Sequence, residues 1–203
     1  MKEHFLPQNL TIGLNNLWKT PLYYGNIEDE SLLNRVCQDI LSRYNLLRPP
    51  SELNDETNIL DSSDTLIQFK KQIVDSAFNQ YLYQAYNVTL DQFEEYSYKS
   101  WIAGSKSGYS INLHNHSGSQ FAAVFYLACE NEQGGTLTMS DPRVNANRGY
   151  DIPFKRDFAN VDFSPSTGSY IIMPSYVYHY TDTFKGALRL AMPVDLFLGP
   201  LKS

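Results

Sequence analysis

Two hydrophobic periods divide the chain. From about residue 26 to residue 86, apolar positions recur at spacings of three and four, which puts them on one side of a helix. The first stripe, Leu32, Leu33, Val36, Ile40, Leu41 and Tyr44, predicts a helix over 28–47. Glu28, Asp29 and Glu30 put negative charge at its start, where the helix dipole favours it, and Pro49 and Pro50 end it. Residues 51–63 are rich in Asn, Asp and Ser and read as a loop. Asp64 is placed to cap a second helix reaching about residue 86, whose stripe is Leu66, Phe69, Ile73, Ala77, Tyr81 and Ala85. Both stripes need another layer to cover them.

After residue 95 the period falls to two, and strands are predicted over 96–103, 109–116, 120–129, 136–140, 168–173, 176–181 and 187–194. A short strand within 17–24 is placed to join them. Gly134 and Gly135 read as a hairpin turn between two of these strands, and 145–162 as a long polar excursion across one rim. Many short strands separated by turns predict a sandwich or barrel. The fold class is therefore mainly β with flanking helices (α+β). Residues 1–95 form a strand and two-helix supporting layer, and residues 96–203 the β core, packed as one compact unit.

Composition narrows the function. Hydrophobic residues make up 42% and charged residues 19%, enough apolar material for a core and too little charge for a disordered chain. A net charge of −6 argues against a partner held through phosphates, so a small-molecule or protein substrate is expected rather than nucleic acid. The longest apolar run, Phe121 to Cys129, falls far short of the roughly 20 residues of a membrane-spanning helix. The opening MKEHFLPQNL carries charges and no long apolar segment, so it does not read as a secretory signal. Cys37 and Cys129 lie far apart without CxxC spacing, which excludes a disulfide scaffold and a zinc ribbon and points to a cytoplasmic setting. A homodimer is compatible with all of this.

The candidate chemistry lies in the β half. Of the four histidines, His114 and His116 are two apart in SINLHNHSGSQF, so on a strand they would share a face with Asn112, while Ile111 and Leu113 would face the opposite layer. Two imidazoles on one face can share a metal ion, although paired surface histidines produce the same string. His179 follows in PSYVYHYTD, on the face opposite Tyr176, Tyr178 and Tyr180, where a rolled sheet would bring it to the earlier pair. Ten residues on, Arg189 alternates with Leu188 and Leu190 in an apolar strand, where a guanidinium needs a carboxylate or phosphate partner, in a ligand or in a structural salt bridge. Trp101 reads equally as mouth wall or core.

In order, LHNHSGSQFAAVFYL, GGTLTMSDPR, STGSYIIMPSYVYHYTD and GALRLAM resemble the double-stranded β-helix core of the iron(II) and 2-oxoglutarate-dependent oxygenases. They are most similar to a branch of small oxygenases from marine bacteria and phages with His-x-His at this place. The resemblance runs from Trp101 to Leu198 and implies a cupin-like jelly roll. It also implies Fe(II) held by His114, His116 and His179, and 2-oxoglutarate gripped by Arg189, with hydroxylation as the expected reaction. Asn112, Tyr109 and Tyr126 are placed to meet the cosubstrate. The carboxylate usual two residues after the first histidine is His116 here, which would leave the site one charge more positive. Asp141 in SDPR is the alternative acidic ligand. The spacing Gly108…His114-x-His116…Gln120 also resembles the first cupin motif, with Gln120 where a glutamate commonly sits. A cupin-type metalloenzyme without 2-oxoglutarate, and a non-catalytic jelly-roll binding protein, are the rival readings.

Overall fold

The structure, a computed structural model, describes residues 19–43, 58–129, 133–143 and 160–202. Two antiparallel sheets face each other, and helices cover the outer face of the larger one, giving a mainly β jelly roll. The larger sheet takes β1 (Tyr23–Asn26), β2 (Tyr96–Ser100), β3 (Ala103–Ser105), β4 (Phe121–Cys129), β7 (Ser169–Pro174) and β9 (Arg189–Leu198). Its order is β1-β7-β4-β9-β2, with β3 also paired to β9. The smaller sheet is β6 (Val161–Phe163), β5 (Leu137–Met139) and β8 (His179–Thr181), in that order.

Alternation on β4 and β9 builds two cores. Ala123, Phe125 and Leu127 point to the helices, while Ala122, Val124 and Tyr126 point to the smaller sheet. On β9, Leu190, Met192, Val194 and Leu196 join the helical side, which turns Arg189, Ala191, Pro193 and Asp195 toward the space between the sheets. Both charged residues of that face are buried.

The helices are α1 (Glu30–Arg43), α2 (Asp64–Phe69) and α3 (Asp75–Tyr86). In α1, Leu32, Leu33, Val36 and Ile40 are buried as predicted, whereas Leu41 is exposed at the edge of the stripe. The predicted last turn, Tyr44 and Pro49–Pro50 lie outside the described residues. Ser63, not Asp64, caps α2, its Oγ accepting from the Leu66 amide at 3.2 Å. A π-turn, Lys70–Val74, joins α2 to α3. It adds a residue to the turn, so the buried face widens: Val74 and Phe78 are fully buried beside the predicted Ala77 and Tyr81, and Ile73 only partly. The 51–63 loop ends in a short 3₁₀ turn that buries Ile59 and Leu60.

The strands also differ from expectation. The 96–103 strand breaks into β2 and β3. The early strand comes at Tyr23–Asn26, pairing with β7, and nearly all of the 145–162 excursion lies outside the described residues. Gly134 and Gly135 do not close a hairpin: β4 and β5 belong to different sheets, so the pair carries the chain across the edge. No helix among the described residues is long and apolar enough to cross a membrane.

Candidate metal centre

Residues 109–116 are not a regular strand. The segment is stitched to the chain around β8 at uneven intervals: Phe184 N to Tyr109 O at 2.9 Å, Thr181 N to Ile111 O at 3.0 Å, His179 N to His114 O at 2.8 Å and His116 N to Ser175 O at 3.0 Å. The slip in register lets Ile111 and His114, three residues apart, both line the inner cavity, while Leu113 is exposed. A period-two strand cannot do that, so the expected placing of Ile111 in the opposite layer fails. On the facing segment, Tyr176 and Tyr178 are exposed and Val177 and His179 buried, the predicted alternation.

The three histidines meet. Ring centroids lie 4.3 Å apart for His114–His179, 5.1 Å for His116–His179 and 5.4 Å for His114–His116. Among the described residues they are the one group of three or more His, Cys, Asp or Glu side chains whose ligand atoms converge, all within 4.8 Å of one another. Each Nδ1 faces an oxygen: Asn112 O at 2.8 Å for His114, Val177 O at 3.0 Å for His179, and Asp195 Oδ1 at 2.6 Å for His116. An oxygen acceptor requires N–H at Nδ1, which leaves the neutral ring's lone pair on Nε2. The Nε2 atoms of His116 and His179 are 3.3 Å apart, so two lone pairs face each other, an arrangement a shared cation stabilises. Burial lowers the pKa of His114, against the opposing pull of the Asn112 carbonyl, and lowers that of His179 to about 4. Neutral imidazole is the form that ligates. The donor set, three imidazole nitrogens with an open side, suits Fe(II).

The space beside them is a cavity of about 340 Å³, lined by Trp101, Tyr109, Ile111, Val124, Tyr126, Leu137, Thr181, Arg189 and Ala191 among others. Trp101 stacks on His116, with centroids 5.6 Å apart. Arg189 is 2% exposed. Its Nη1 donates to Gly135 O at 2.7 Å and its Nη2 to Ser105 Oγ at 3.1 Å. Its Nε is the one buried side-chain nitrogen or oxygen among the described residues without a hydrogen-bond partner. Among those residues no carboxylate pairs with it, so none of them supplies the structural salt bridge. The guanidinium lines the cavity with a positive charge and, among the described residues, one unpaired donor.

The remaining candidates separate. Tyr109 and Tyr126 line the cavity, and burial pushes the Tyr126 phenol up, so it stays protonated and can donate. Asn112 is exposed and serves through its backbone carbonyl. Gln120 is also exposed; its Oε1 accepts from Leu198 N at 2.9 Å, and it is not among the residues lining the cavity. Asp141 is outside the cluster and takes a two-pronged contact from Arg143, which holds its carboxyl below the usual range.

Sequence reading missed two residues. Asp195 sits 79 positions from His116, and nothing local marks it as a partner. Gly135, read as a turn, has φ +73°, and a Cβ on it would overlap Arg189 Nη1. Gly135→Ala is expected to cost about 1–3 kcal/mol of stability, from backbone strain plus a displaced guanidinium. Gly118 also has positive φ, +98°, but open space around it, so Gly118→Ala should cost less. Thermal denaturation of the two variants reads the difference, and equal losses would show that Arg189 does not depend on this glycine.

Residues 99–195 match the family model described as "Putative 2OG-Fe(II) oxygenase". Those residues span the three histidines, Arg189 and Asp195. Over this β core the chain is similar to the 2OG-Fe(II) oxygenases. Its structural neighbours include a Pseudomonas putida prolyl-4-hydroxylase, 17% identical, with TM-score 0.56 and 88% of each chain covered. A Trichoplax adhaerens prolyl hydroxylase in complex with a hypoxia inducible factor peptide fragment is 17% identical, with TM-score 0.58, 87% of this chain and 83% of that one covered. SnoN, an alpha ketoglutarate dependent epimerase from nogalamycin biosynthesis, is 12% identical, with TM-score 0.59, 87% of this chain and 77% of that one covered. At such identities these likenesses establish the jelly-roll fold alone. No curated protein matches the sequence. The matched family is one of hydroxylase-type dioxygenases whose cofactors are Fe(II) and 2-oxoglutarate, and the three-histidine site here fits the metal.

Proposed function

We propose that this oxygenase hydroxylates a C–H bond of a small-molecule or protein substrate, with His114, His116 and His179 holding Fe(II) and Arg189 gripping the distal carboxylate of 2-oxoglutarate. The observation that carries the reading is Arg189 itself: a buried cation whose Nε–H has no partner among the described residues, lining the cavity that the three imidazoles share. A dicarboxylate spanning that cavity would give the guanidinium the anion it lacks. Tyr126, kept protonated by burial, is placed to donate a further hydrogen bond. Trp101, Ile102, Val124, Leu137 and Ala191 supply apolar wall that keeps water from the reacting bond. Bound Fe(II) supplies the oxygen chemistry, in which a C–H bond, O₂ and 2-oxoglutarate become C–OH, succinate and CO₂.

The test has two stages. Titration of 2-oxoglutarate into Fe(II)-loaded protein without oxygen is expected to saturate. Succinate release with oxygen is then expected to rise with one member of a panel holding proline-containing peptides and small natural products. Absence of saturable 2-oxoglutarate binding would remove the cosubstrate assignment and favour the cupin-type reading.

A further inference from the structure

The charges of the site do not balance with the residues that line it. Fe(II) brings two positive charges and Arg189 a third, while three neutral imidazoles bring none. Among the described residues no Asp or Glu lines the cavity. A 2-oxoglutarate dianion leaves one positive charge over, in a place where Arg189 is 2%, His179 3% and His116 7% exposed. Uncompensated charge so far from water is costly.

One carboxylate is in position to close the balance. Asp195, 7% exposed, lies on the cavity-side face of β9 with Arg189, Ala191 and Pro193, and its Oδ1 accepts from His116 Nδ1 at 2.6 Å. The contact is short and buried, as expected for a charge-assisted bond. We propose that Asp195 is a positioning residue that lends the metal site its missing negative charge through the His116 ring. This rests on the reading of the three histidines as the iron site. A carboxylate on the far nitrogen makes an imidazole a stronger donor and fixes its tautomer and tilt. The site is thereby neutral overall with cosubstrate bound, although no carboxylate is among the three converging ligands. The extra positive charge expected from His116 standing where a carboxylate is usual is offset one ring further out.

Asp195→Asn separates charge from orientation, because the amide oxygen still accepts from Nδ1–H while the charge is gone. The probe is Co(II), titrated without 2-oxoglutarate or oxygen, so the result does not depend on turnover or on the cosubstrate assignment. Asp195→Asn is expected to bind Co(II) roughly 10- to 100-fold more weakly than wild type, with displaced d–d absorption bands at saturation. Its metal-free melting should stay close to wild type. In a His116→Ala background the same substitution should cost much less, because the ring that carries its effect is absent. Co(II) affinity and bands in Asp195→Asn equal to wild type would overturn the proposal, leaving Asp195 an orienting acceptor. A full loss retained in the His116→Ala background would overturn it too, since Asp195 would then act by another route. Wild type that binds no Co(II) would instead overturn the metal centre itself.

Discussion

Replacing any one of His114, His116 or His179 with alanine is expected to strip the protein of Fe(II) and abolish succinate release. Loss of a residue that only supports a ligand typically costs 10- to 100-fold in metal affinity, so loss of a ligand should exceed about 100-fold. The three variants should differ in the metal-free protein. His116→Ala leaves the buried Asp195 carboxylate without its imidazole, so it should melt lowest. His114 is the least buried of the three, and its Nδ1 partner is a backbone carbonyl of an exposed residue, so His114→Ala should cost least. Asp141→Ala is the control, because its carboxylate is tied to Arg143 and lies outside the histidine group. It should load iron as wild type does. Metal analysis of anaerobically purified variants decides: iron lost with Asp141→Ala and kept with His116→Ala would make the ligand set two histidines and an aspartate.

Arg189→Ala is expected to weaken 2-oxoglutarate binding by about tenfold to a hundredfold, the equivalent of a charge-assisted hydrogen bond worth roughly 1.5–3 kcal/mol. It should leave Co(II) affinity nearly intact. Arg189→Lys keeps the charge but not the planar fork, so it should fall between wild type and Arg189→Ala. Neither variant will be neutral for stability, because Gly135 O and Ser105 Oγ lose buried donors. Stability and affinity must therefore be read separately, by melting the metal-free proteins and titrating cosubstrate into the metal-loaded ones. Lower melting with unchanged 2-oxoglutarate affinity would make the guanidinium a strut between β9 and the Gly135 turn rather than a ligand anchor.

Much of the framework was legible because it repeats. The alternation along β4 and β9 and the stripe of α1 each reflect one buried side, and burial of one side leaves a period in the sequence. The failures fall where the period breaks. The π-turn at Lys70–Val74 brings Val74 and Phe78 into the buried face and leaves Ile73 at its edge, although Ala77 and Tyr81 stay inside, and no local composition announces an added residue in a turn. The slip between Ile111 and His114 has the same character: backbone bonds to β8 and its neighbours, not side-chain preference, set which residues turn inward.

By itself, the sequence determined the two-layer character of the protein, the surface on which the helices sit, and the short list of groups able to hold a metal or an anion. With so few histidines, and one isolated arginine in an apolar strand, chemistry alone narrowed that list. Tertiary structure decided how those groups meet. It brought His179 against His114 and His116, left Arg189 Nε without a partner among the described residues, cleared space for that guanidinium with Gly135, and set Asp195 behind His116. The physical reason is separation. Hydrophobic periodicity is written between neighbours three or four residues apart, or two. The contact of a carboxylate with an imidazole 79 residues away exists only once β9 and the 109–116 segment have been folded onto the same cavity.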